Sequence, residues 1–329
     1  MADIIQKIKD SHLSGRGGAS FPTYLKWKQF KQSKAKEKYI VCNGSEGEPG
    51  VLKDGYILEN YLEEFISGLK LALDFFGAKK VIIYLNHNYY HRFKKDLENS
   101  IGKKLIEIFE KPDLASYVGG EETAMLNTIE GERAEPRLKP PYPGERGLSD
   151  FPTLVNNVET FYDIFLISKG RYKGNRFFTL SGDITKPGVF SFPEHYSIEK
   201  VLHEASVYPD FDFFVQVGGG ANGKFFDKDD FNHEVGGAGA IVIYDKQKTK
   251  SFELIKKMSL FFKKESCGQC VVCREGAYRL SNILKEKEPN LELVSDIIFS
   301  LENSSFCALG SGLAYSIRTY FENILKIKL

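Results

Sequence analysis

Four cysteines near the end of the chain constrain its fold more than any other feature. Cys267, Cys270 and Cys273 form a C-x2-C-x2-C run, and Cys307 lies remote from them in the sequence. Three thiolates from one tight loop can hold three irons of an iron–sulfur cluster, while a distant segment supplies the fourth ligand. The spacing therefore predicts a [4Fe–4S] cluster that ties a tight loop to a second segment.

Zinc is the main alternative for these cysteines, although zinc sites more often use two separate pairs of ligands. A disulfide framework is disfavoured by the odd number of cysteines, 5, and by the cramped spacing. The fifth cysteine, Cys42, falls inside a predicted strand. There we expect it to be a small buried apolar residue and not a ligand.

Composition excludes several classes of protein. A length of 329 residues predicts two or three domains, and a formal net charge of +1 gives no footprint for binding nucleic acid. No apolar stretch is long enough for a transmembrane helix, and residues 1–10 predict a short amphipathic helix instead of a signal peptide. Free cysteines without an export signal predict a cytoplasmic protein, associated with a membrane only through partner subunits.

The periodicity of apolar residues divides the chain into three regions. In residues 1–172, predicted strands at 38–43, 80–85 and 104–109 alternate with helices at 56–76 and 87–100. This alternation predicts a mostly parallel sheet with loops at its carboxyl edge. In residues 173–248, short strands at 176–180, 188–192, 213–217 and 240–244 surround one helix at 198–205, which predicts a small α+β module. Residues 249–329 have helical periodicity, with the cysteines at turns.

Four polar loops in the first region have the residue types that bind nucleotides. Residues 14–20 are rich in glycine, which lets backbone N–H groups approach phosphate, and Lys26 follows with a positive charge. Residues 43–50 follow a strand and carry acceptor side chains. Residues 117–123 open a helix with two carboxylates, and residues 156–160 carry two asparagines. Taken singly, each loop also has a structural explanation: a tight turn, a solvated acidic turn, or a helix terminus.

Together these segments resemble a known family. GRGGASFPTYLKW (15–27), YIVCNGSEGEPG (39–50), 117–143, FPTLVNNVET (151–160) and ESCGQCVVCREG (265–276) resemble the NADH-binding, FMN-carrying subunit of respiratory complex I. The resemblance extends to its relatives in NAD-linked hydrogenases, formate dehydrogenases and electron-bifurcating complexes. It implies an α/β Rossmann-like flavin domain, a β-grasp (ubiquitin-like) domain and a helical bundle with the [4Fe–4S] cluster, matching the three regions above.

The resemblance also implies the site residues, the chemistry and the partners. Around FMN it places Gly15, Gly17, Lys26, Asn43, Glu46, Gly120, Asn156 and Asn157. Around NADH it places Phe21, Glu48, Glu121, Glu122, Lys139 and Tyr142. Flavin performs the hydride chemistry, so no protein residue is named as a catalytic acid or base. Electrons then pass singly to the cluster and on to partner subunits, among them a small [2Fe–2S] thioredoxin-like subunit.

The sequence departs from the family pattern at several positions. Ser45 stands where the family has an acidic residue, Ser20 where it has glycine, and Gly55 where it commonly has a basic residue. A family N-terminal extension is also expected to be missing. Glu121 and Glu122 beside an adenosine ribose would repel a 2′-phosphate, which favours NAD over NADP. Two rival functions stay open: a flavin-free electron-wiring or scaffold subunit, and a zinc-stabilised binding module.

Overall fold

The chain forms two compact units, each with its own sheet. The computed structural model describes residues 4–102 and 105–329. The first unit runs up to Gly47 and also contains Leu52–Phe177, whereas the second contains Glu48–Val51 and Phe178–Leu329. A short segment, 48–51, thus belongs to the second unit although it lies early in the sequence.

The first unit has a four-stranded parallel sheet, as the alternating pattern predicts. Its strands lie in the order β3-β2-β1-β4, and β1 is central, with Val41 paired to Ile82 on one side and to Val155 on the other. The central strands are continuous apolar runs because helices cover both faces of a parallel sheet. Cys42 is fully buried in β1, as predicted. The strands are β1 Tyr39–Gly44, β2 Lys80–Leu85, β3 Ile106–Glu110 and β4 Thr153–Asn157.

The helices that accompany this sheet include one correction to the sequence prediction. The predicted helix at 56–76 is two helices, because Tyr61 leaves the helical conformation at φ −138° and ψ 35°. Its ring packs in an aromatic cluster with Tyr162 and Phe177, a tertiary contact that local periodicity does not reveal. The helices are α1 Ile4–Asp10, α2 Thr23–Gln32, α3 Lys53–Asn60, α4 Leu62–Phe76, α5 His87–Ile101, α6 Glu122–Ile129 and α7 Val158–Ser168.

Other differences in the first unit concern element ends and one missed strand. The predicted strand at 104–109 is found from Ile106, and Lys104 lies outside the described residues, as do residues 1–3 of the predicted first helix. Strand β4 was not predicted, because Asn156 and Asn157 are typical of a helix cap and not of a strand. Asn157 serves both purposes: it ends β4 and its side chain caps α7.

The second unit contains a five-stranded mixed sheet. The strand order is β6-β5-β9-β7-β8, with β9 parallel to β5 and antiparallel to β7. One helix, α8, buries Val201 and Leu202 against Phe213 and Ile243 of the sheet. Strand β8 is only three residues long and was missed by the sequence pattern. The elements are β5 Asn175–Gly182, β6 Gly188–Pro193, α8 Ile198–Glu204, β7 Phe213–Val217, β8 Lys224–Phe226 and β9 Ala240–Asp245.

A set of helices completes the second unit, as the 3.6-residue periodicity predicts. They are α9 Ser251–Glu265, α10 Val271–Ile283, α11 Leu291–Ser304 and α12 Ala308–Thr319, followed by a π-helical turn, Tyr320–Ile324. The Ser316 hydroxyl on α12 lies 2.9 Å from the Ala221 carbonyl oxygen and 2.8 Å from that of Gly223, which fixes α12 against the β7–β8 turn. In the part of the chain that the structure describes, no helix has both the length and the apolarity needed to cross a bilayer.

Candidate functional site

The carboxyl edge of the first sheet joins two of the loops that sequence analysis identified with the loop after β2. Asn43 is the penultimate residue of β1, and its Nδ2 donates to the Gly120 carbonyl oxygen at 2.8 Å while its Oδ1 accepts from the Ser45 amide at 3.1 Å. Asn86, which caps α5, donates to the Ser45 carbonyl oxygen at 3.1 Å. The loops after β1 and β2 and the loop before α6 are thus joined through Asn43 and Ser45.

Glu46 is a buried carboxylate at this edge. Its two oxygens accept from the backbone amides of Asp54 and Gly55, at 2.8 Å and 3.1 Å, so it caps the start of α3. The Tyr89 hydroxyl on α5 donates to the same carboxylate. Burial, and then the nearby charge of Asp54, raise the pKa of Glu46 to about 7. Glu46 is therefore an acid that can exchange its proton near neutral pH.

A buried ionic network lies behind Glu46, and sequence analysis did not identify it. Lys53 Nζ lies 2.6 Å from Asp54 Oδ1, 3.2 Å from Glu159 Oε2 and 2.8 Å from Asn157 Oδ1. The Asn157 amide in turn donates to Asp54 Oδ2 at 2.6 Å. Burial would lower the pKa of Lys53, but the three carboxylates around it, with Glu46 as the third, raise it overall. Lys53 therefore stays charged inside the protein.

The other asparagine of the pair, Asn156, is also buried. Its amide lies between the Trp27 indole N–H and the Val155 carbonyl, and it bonds both at 2.9 Å when its oxygen faces the indole. Helix α2 is thereby held against the end of β4. Lys26, on the same helix, donates to the Val155 carbonyl at 3.0 Å. Four of the predicted flavin residues, Asn43, Glu46, Asn156 and Asn157, therefore lie at the ends of adjacent strands or just beyond them.

The acidic pair at the start of α6, Glu121 and Glu122, forms ion pairs with two lysines. Lys26 Nζ lies 3.1 Å from Glu122, and Lys139 Nζ lies 2.6 Å from Glu121 and 3.2 Å from Glu122. Burial raises the pKa of Glu122, but the two lysines outweigh it and the net shift is downward. Glu121 also accepts from the amides of Thr123 and Ala124, so it is the N-cap of α6 as well. Glu122 is therefore ionised at neutral pH.

The glycine-rich loop at 14–20 is held in place by Arg16, a residue that sequence analysis did not identify. Arg16 is buried and lies 3.1 Å from Asp163, and it donates to the Tyr172 hydroxyl at 2.8 Å. On the open side, a Cβ at Gly17 would approach only the Asn157 Cβ, at 3.5 Å, so this backbone is accessible. Two aromatic residues of the predicted NADH set have exposed rings: Phe21 is 49% and Tyr142 is 52% exposed.

Glu48 belongs to the second unit and has structural partners there. Its Oε1 accepts from the amides of Ala221 and Asn222 at 2.8 Å and 3.0 Å, and Gly219 leaves room for it. The remaining oxygen accepts from the Asn222 side chain at 3.2 Å. Glu48 therefore stabilises the turn between β7 and β8, a role that its position in the sequence does not reveal.

The four predicted cluster ligands lie at the starts of two helices in the second unit. Cys270 is the N-cap of α10 and Cys307 is the N-cap of α12, while Cys267 and Cys273 flank Cys270. Burial raises the pKa of Cys273 to about 12; the Ser266 hydroxyl opposes this shift, and the charges of the other three cysteines add to it. The cysteines are thus close enough for their charges to interact, and a coordinated metal would hold them as thiolates.

The surroundings of these cysteines fit an anionic iron–sulfur cluster. Two helix N-termini offer backbone N–H groups to negative charge. Gly310 is required for close approach, since a Cβ there would lie 3.2 Å from the Cys273 Cβ and 2.3 Å from the Ser305 hydroxyl. That buried hydroxyl has no hydrogen-bond partner among the residues that the structure describes, so it is available to a cluster sulfur. Gly268, at φ +78°, makes the turn between the first two cysteines.

Comparisons with known proteins agree with this geometry. Residues 8–166 match the Nuo51 FMN-binding domain family, and residues 253–324 match the NADH-ubiquinone oxidoreductase-F iron–sulfur binding region. One of the NADH-quinone oxidoreductase-F proteins of Rhizobium meliloti is 31% identical over 96% of this chain and 85% of its own length. The corresponding protein of Aquifex aeolicus is 31% identical over 97% of this chain and 84% of its own length.

A solved structure gives the same result for the fold. A chain of an NAD+-reducing [NiFe]-hydrogenase superposes with a TM-score of 0.91 at 28% identity, over 98% of this chain. This chain spans 61% of that hydrogenase chain. The sequence prediction of an FMN and [4Fe–4S] protein related to complex I is confirmed by these matches. The chain belongs to the NADH-quinone oxidoreductase-F family, with an FMN-binding domain followed by a [4Fe–4S]-binding region.

Proposed function

We propose that the chain oxidises NADH, or reduces NAD+, at an FMN bound to the carboxyl edge of the first sheet. The observation that carries this proposal is the meeting of Asn43, Gly120 and Asn157 at one sheet edge, within the segment that matches the FMN-binding family. When bound, FMN accepts two electrons from NADH and releases them one at a time to a one-electron acceptor. Cys267, Cys270, Cys273 and Cys307 would hold that acceptor, the cluster.

The flavin site would use residues from four loops. Gly15 and Gly17 would let the backbone approach the cofactor, and Lys26 would add positive charge beside it. Asn43, Glu46, Gly120, Asn156 and Asn157 would supply hydrogen bonds from the sheet edge. Buried Lys53 supports this assignment of residues, because it holds the Asn157 side chain from the protein interior. The protein's own contribution is placement and electrostatic tuning.

NADH would bind over the exposed residues of the same unit. The rings of Phe21 and Tyr142 offer aromatic faces to the bases of the dinucleotide. Glu121 and Glu122, with Lys139, would face the adenosine ribose. Lys26 and Lys139 keep Glu122 ionised, so it can accept from a 2′-hydroxyl and repel a 2′-phosphate, which favours NAD over NADP.

Glu48 is proposed as the remaining NADH contact. Its carboxylate is engaged with the β7–β8 turn, so Glu48→Ala should destabilise that turn as well as weaken NADH binding. The matched variant Asn222→Ala removes one donor to Glu48 and leaves the carboxylate in place. If Glu48 contacts NADH, the KM for NADH should rise in Glu48→Ala and stay near wild type in Asn222→Ala. An equal rise of the KM in both variants would indicate that Glu48 has only a structural role.

We further propose three domains, with boundaries at 1–172, 173–248 and 249–329. The middle segment supports a β-grasp assignment, since its five strands lie in the order 2-1-5-3-4 counted within the segment, with the first and last parallel. One helix, α8, connects its second and third strands. This is the arrangement of a ubiquitin-like fold.

A further electron carrier on a partner subunit is also part of the proposal. The chain has 5 cysteines, of which four are assigned to the cluster and the fifth, Cys42, is buried in β1. No cysteine is left in this sequence for a second iron–sulfur cluster. The relatives are subunits of larger complexes by name, and a small [2Fe–2S] thioredoxin-like subunit would take electrons onward.

A flavin-free wiring subunit is the second candidate, favoured by one observation. Ser45 stands where the family motif has an acidic residue. A Cβ placed on Gly120 would lie only 2.8 Å from the Ser45 hydroxyl oxygen. The visible spectrum of the purified protein, with NADH:ferricyanide reductase activity, separates the candidates. Flavin bands over the cluster absorbance, together with activity, are expected. Cluster absorbance without flavin bands or activity, even after addition of FMN, would favour the wiring subunit.

A further inference from the structure

A group of metal-binding side chains outside the flavin and cluster sites lies where β3 ends and α5 begins. His87 is the first residue of α5, His91 follows one helical turn later, and Glu110 is the last residue of β3. His87 Nδ1 lies 2.7 Å from Glu110 Oε1, and His91 Nε2 lies 3.2 Å from the same oxygen. One ligand atom from each residue lies within 4.8 Å of the other two.

We propose that His87, His91 and Glu110 form a binding site for a divalent transition-metal ion of the Zn²⁺ class. Two histidines at i and i+4 on one helix face present imidazole nitrogens to the same point, and imidazole suits Zn²⁺, Ni²⁺ and Cu²⁺. Two imidazoles and one carboxylate are a frequent zinc ligand set, with bond lengths of about 2.0–2.2 Å. The side chains are 56%, 60% and 34% exposed, so water can complete the coordination.

The competing explanation is a surface hydrogen-bonded cluster without metal. In its favour, the N-terminus of α5 places the positive end of the helix dipole near the histidines, which opposes a cation. Glu110 offsets that charge. The geometry favours the metal site because both ring nitrogens converge on a single carboxylate oxygen. The three ligand atoms lie within 4.8 Å of one another, and small rotations of these exposed side chains would open space for a cation between them.

A metal here would fasten the first turn of α5 to β3. That turn also carries Asn86, which donates to the Ser45 carbonyl, and Tyr89, which donates to Glu46. Tyr89 lies two residues after His87 and so projects from a different face of the helix. The ion would therefore stabilise, from the other face of the helix, the element that positions two residues of the loop after β1. This inference does not depend on the proposed flavin chemistry.

The test is titration of the cluster-loaded protein with zinc chloride by isothermal calorimetry. Wild type should bind one zinc ion that both His87→Ala and His91→Ala weaken at least about tenfold, because loss of even a residue that only hydrogen-bonds a ligand costs about 10–100-fold. His203→Ala is the matched control, since His203 is an exposed histidine on α8 that stacks on Tyr208, and it should bind as wild type does. Unchanged zinc binding in the double variant His87→Ala/His91→Ala would overturn the proposal.

X-ray absorption at the zinc edge identifies the atoms bound to the zinc ion, which a change in the stability of the variants cannot imitate. The spectrum of the one-zinc protein should show only nitrogen and oxygen neighbours at about 2.0–2.2 Å, with the multiple scattering of two imidazoles. A sulfur shell at about 2.3 Å would place the ion on cysteines instead and would also refute the site.

Discussion

Replacement of Lys53 by methionine tests how much the buried ionic network around Lys53 contributes to the stability of the first unit. Lys53 is the cation among three buried carboxylates, those of Asp54, Glu159 and Glu46, and only 2% of its side chain is exposed. Methionine keeps the length of the side chain but removes the charge. The carboxylates would then be left in a low-dielectric interior without their counterion.

The expected cost follows from that uncompensated charge. Removal of one partner of a buried ion pair costs about 3–5 kcal/mol, and Lys53 contacts two carboxylates directly. The loss should depend on pH in a defined direction. Without Lys53, the folded-state pKa values of Asp54 and Glu46 rise further above their unfolded values, so the folded variant binds more protons than the unfolded chain. Its deficit should therefore be largest at alkaline pH and shrink as the pH falls through the pKa of Glu46, which lies above about 7 in the variant.

Urea unfolding of the first unit, followed by the fluorescence of Trp27 at pH 6 and pH 8, measures this effect. Trp27 is the single tryptophan of the chain and is fully buried. Lys79→Met is the matched control, because Lys79 pairs with Glu37 on the surface and its loss should cause little change. A deficit below about 1 kcal/mol at pH 8, or one that grows toward pH 6, would refute the reasoning.

Three further predictions address the cofactor sites. Cys307→Ala should lose the [4Fe–4S] EPR signal, whereas Cys42→Ala should keep it; a full signal in Cys307→Ala would refute the ligand assignment. Glu122→Gln should narrow the preference for NADH over NADPH, in steady-state kinetics, more than it lowers the maximal rate with NADH, and an unchanged preference would argue against the ribose contact. Tyr89→Phe should raise the pKa of Glu46 above its value of about 7, because the hydroxyl stabilises the ionised form. The pH profile of NADH:ferricyanide activity should then move to higher pH, and an unmoved profile would show that Glu46 does not control it.

The regular elements were predictable from the sequence because their signals are local. Strands β2 and β7 were predicted residue for residue, since each is a short apolar run bounded by polar residues. The cysteine spacing alone indicated the cluster. The break at Tyr61 was not predictable, because it depends on aromatic contacts with residues about a hundred positions away in the sequence.

The buried network could not be predicted for a similar reason. Lys53, Asp54 and Glu159 have the appearance of ordinary charged residues near helix starts, and only the fold brings their charges together. The departure at Gly55 has a physical explanation that the sequence does not contain. A Cβ at Gly55 would lie 2.5 Å from the Tyr89 hydroxyl oxygen, so the Tyr89 side chain occupies the space beside Glu46. Glycine at this position and tyrosine on α5 therefore fit each other.

The most direct test of the account is anaerobic mixing of the purified, cofactor-loaded chain with NADH, with rapid freezing and EPR. The account predicts that NADH bleaches the flavin absorbance and that the EPR signal of a reduced [4Fe–4S] cluster appears within the enzyme's turnover time. It also predicts that the Cys307→Ala protein retains flavin bleaching and lacks the cluster signal. Flavin bleaching in the wild-type protein with no reduced cluster, or zinc in place of iron and sulfide at the four cysteines, would contradict the central claim.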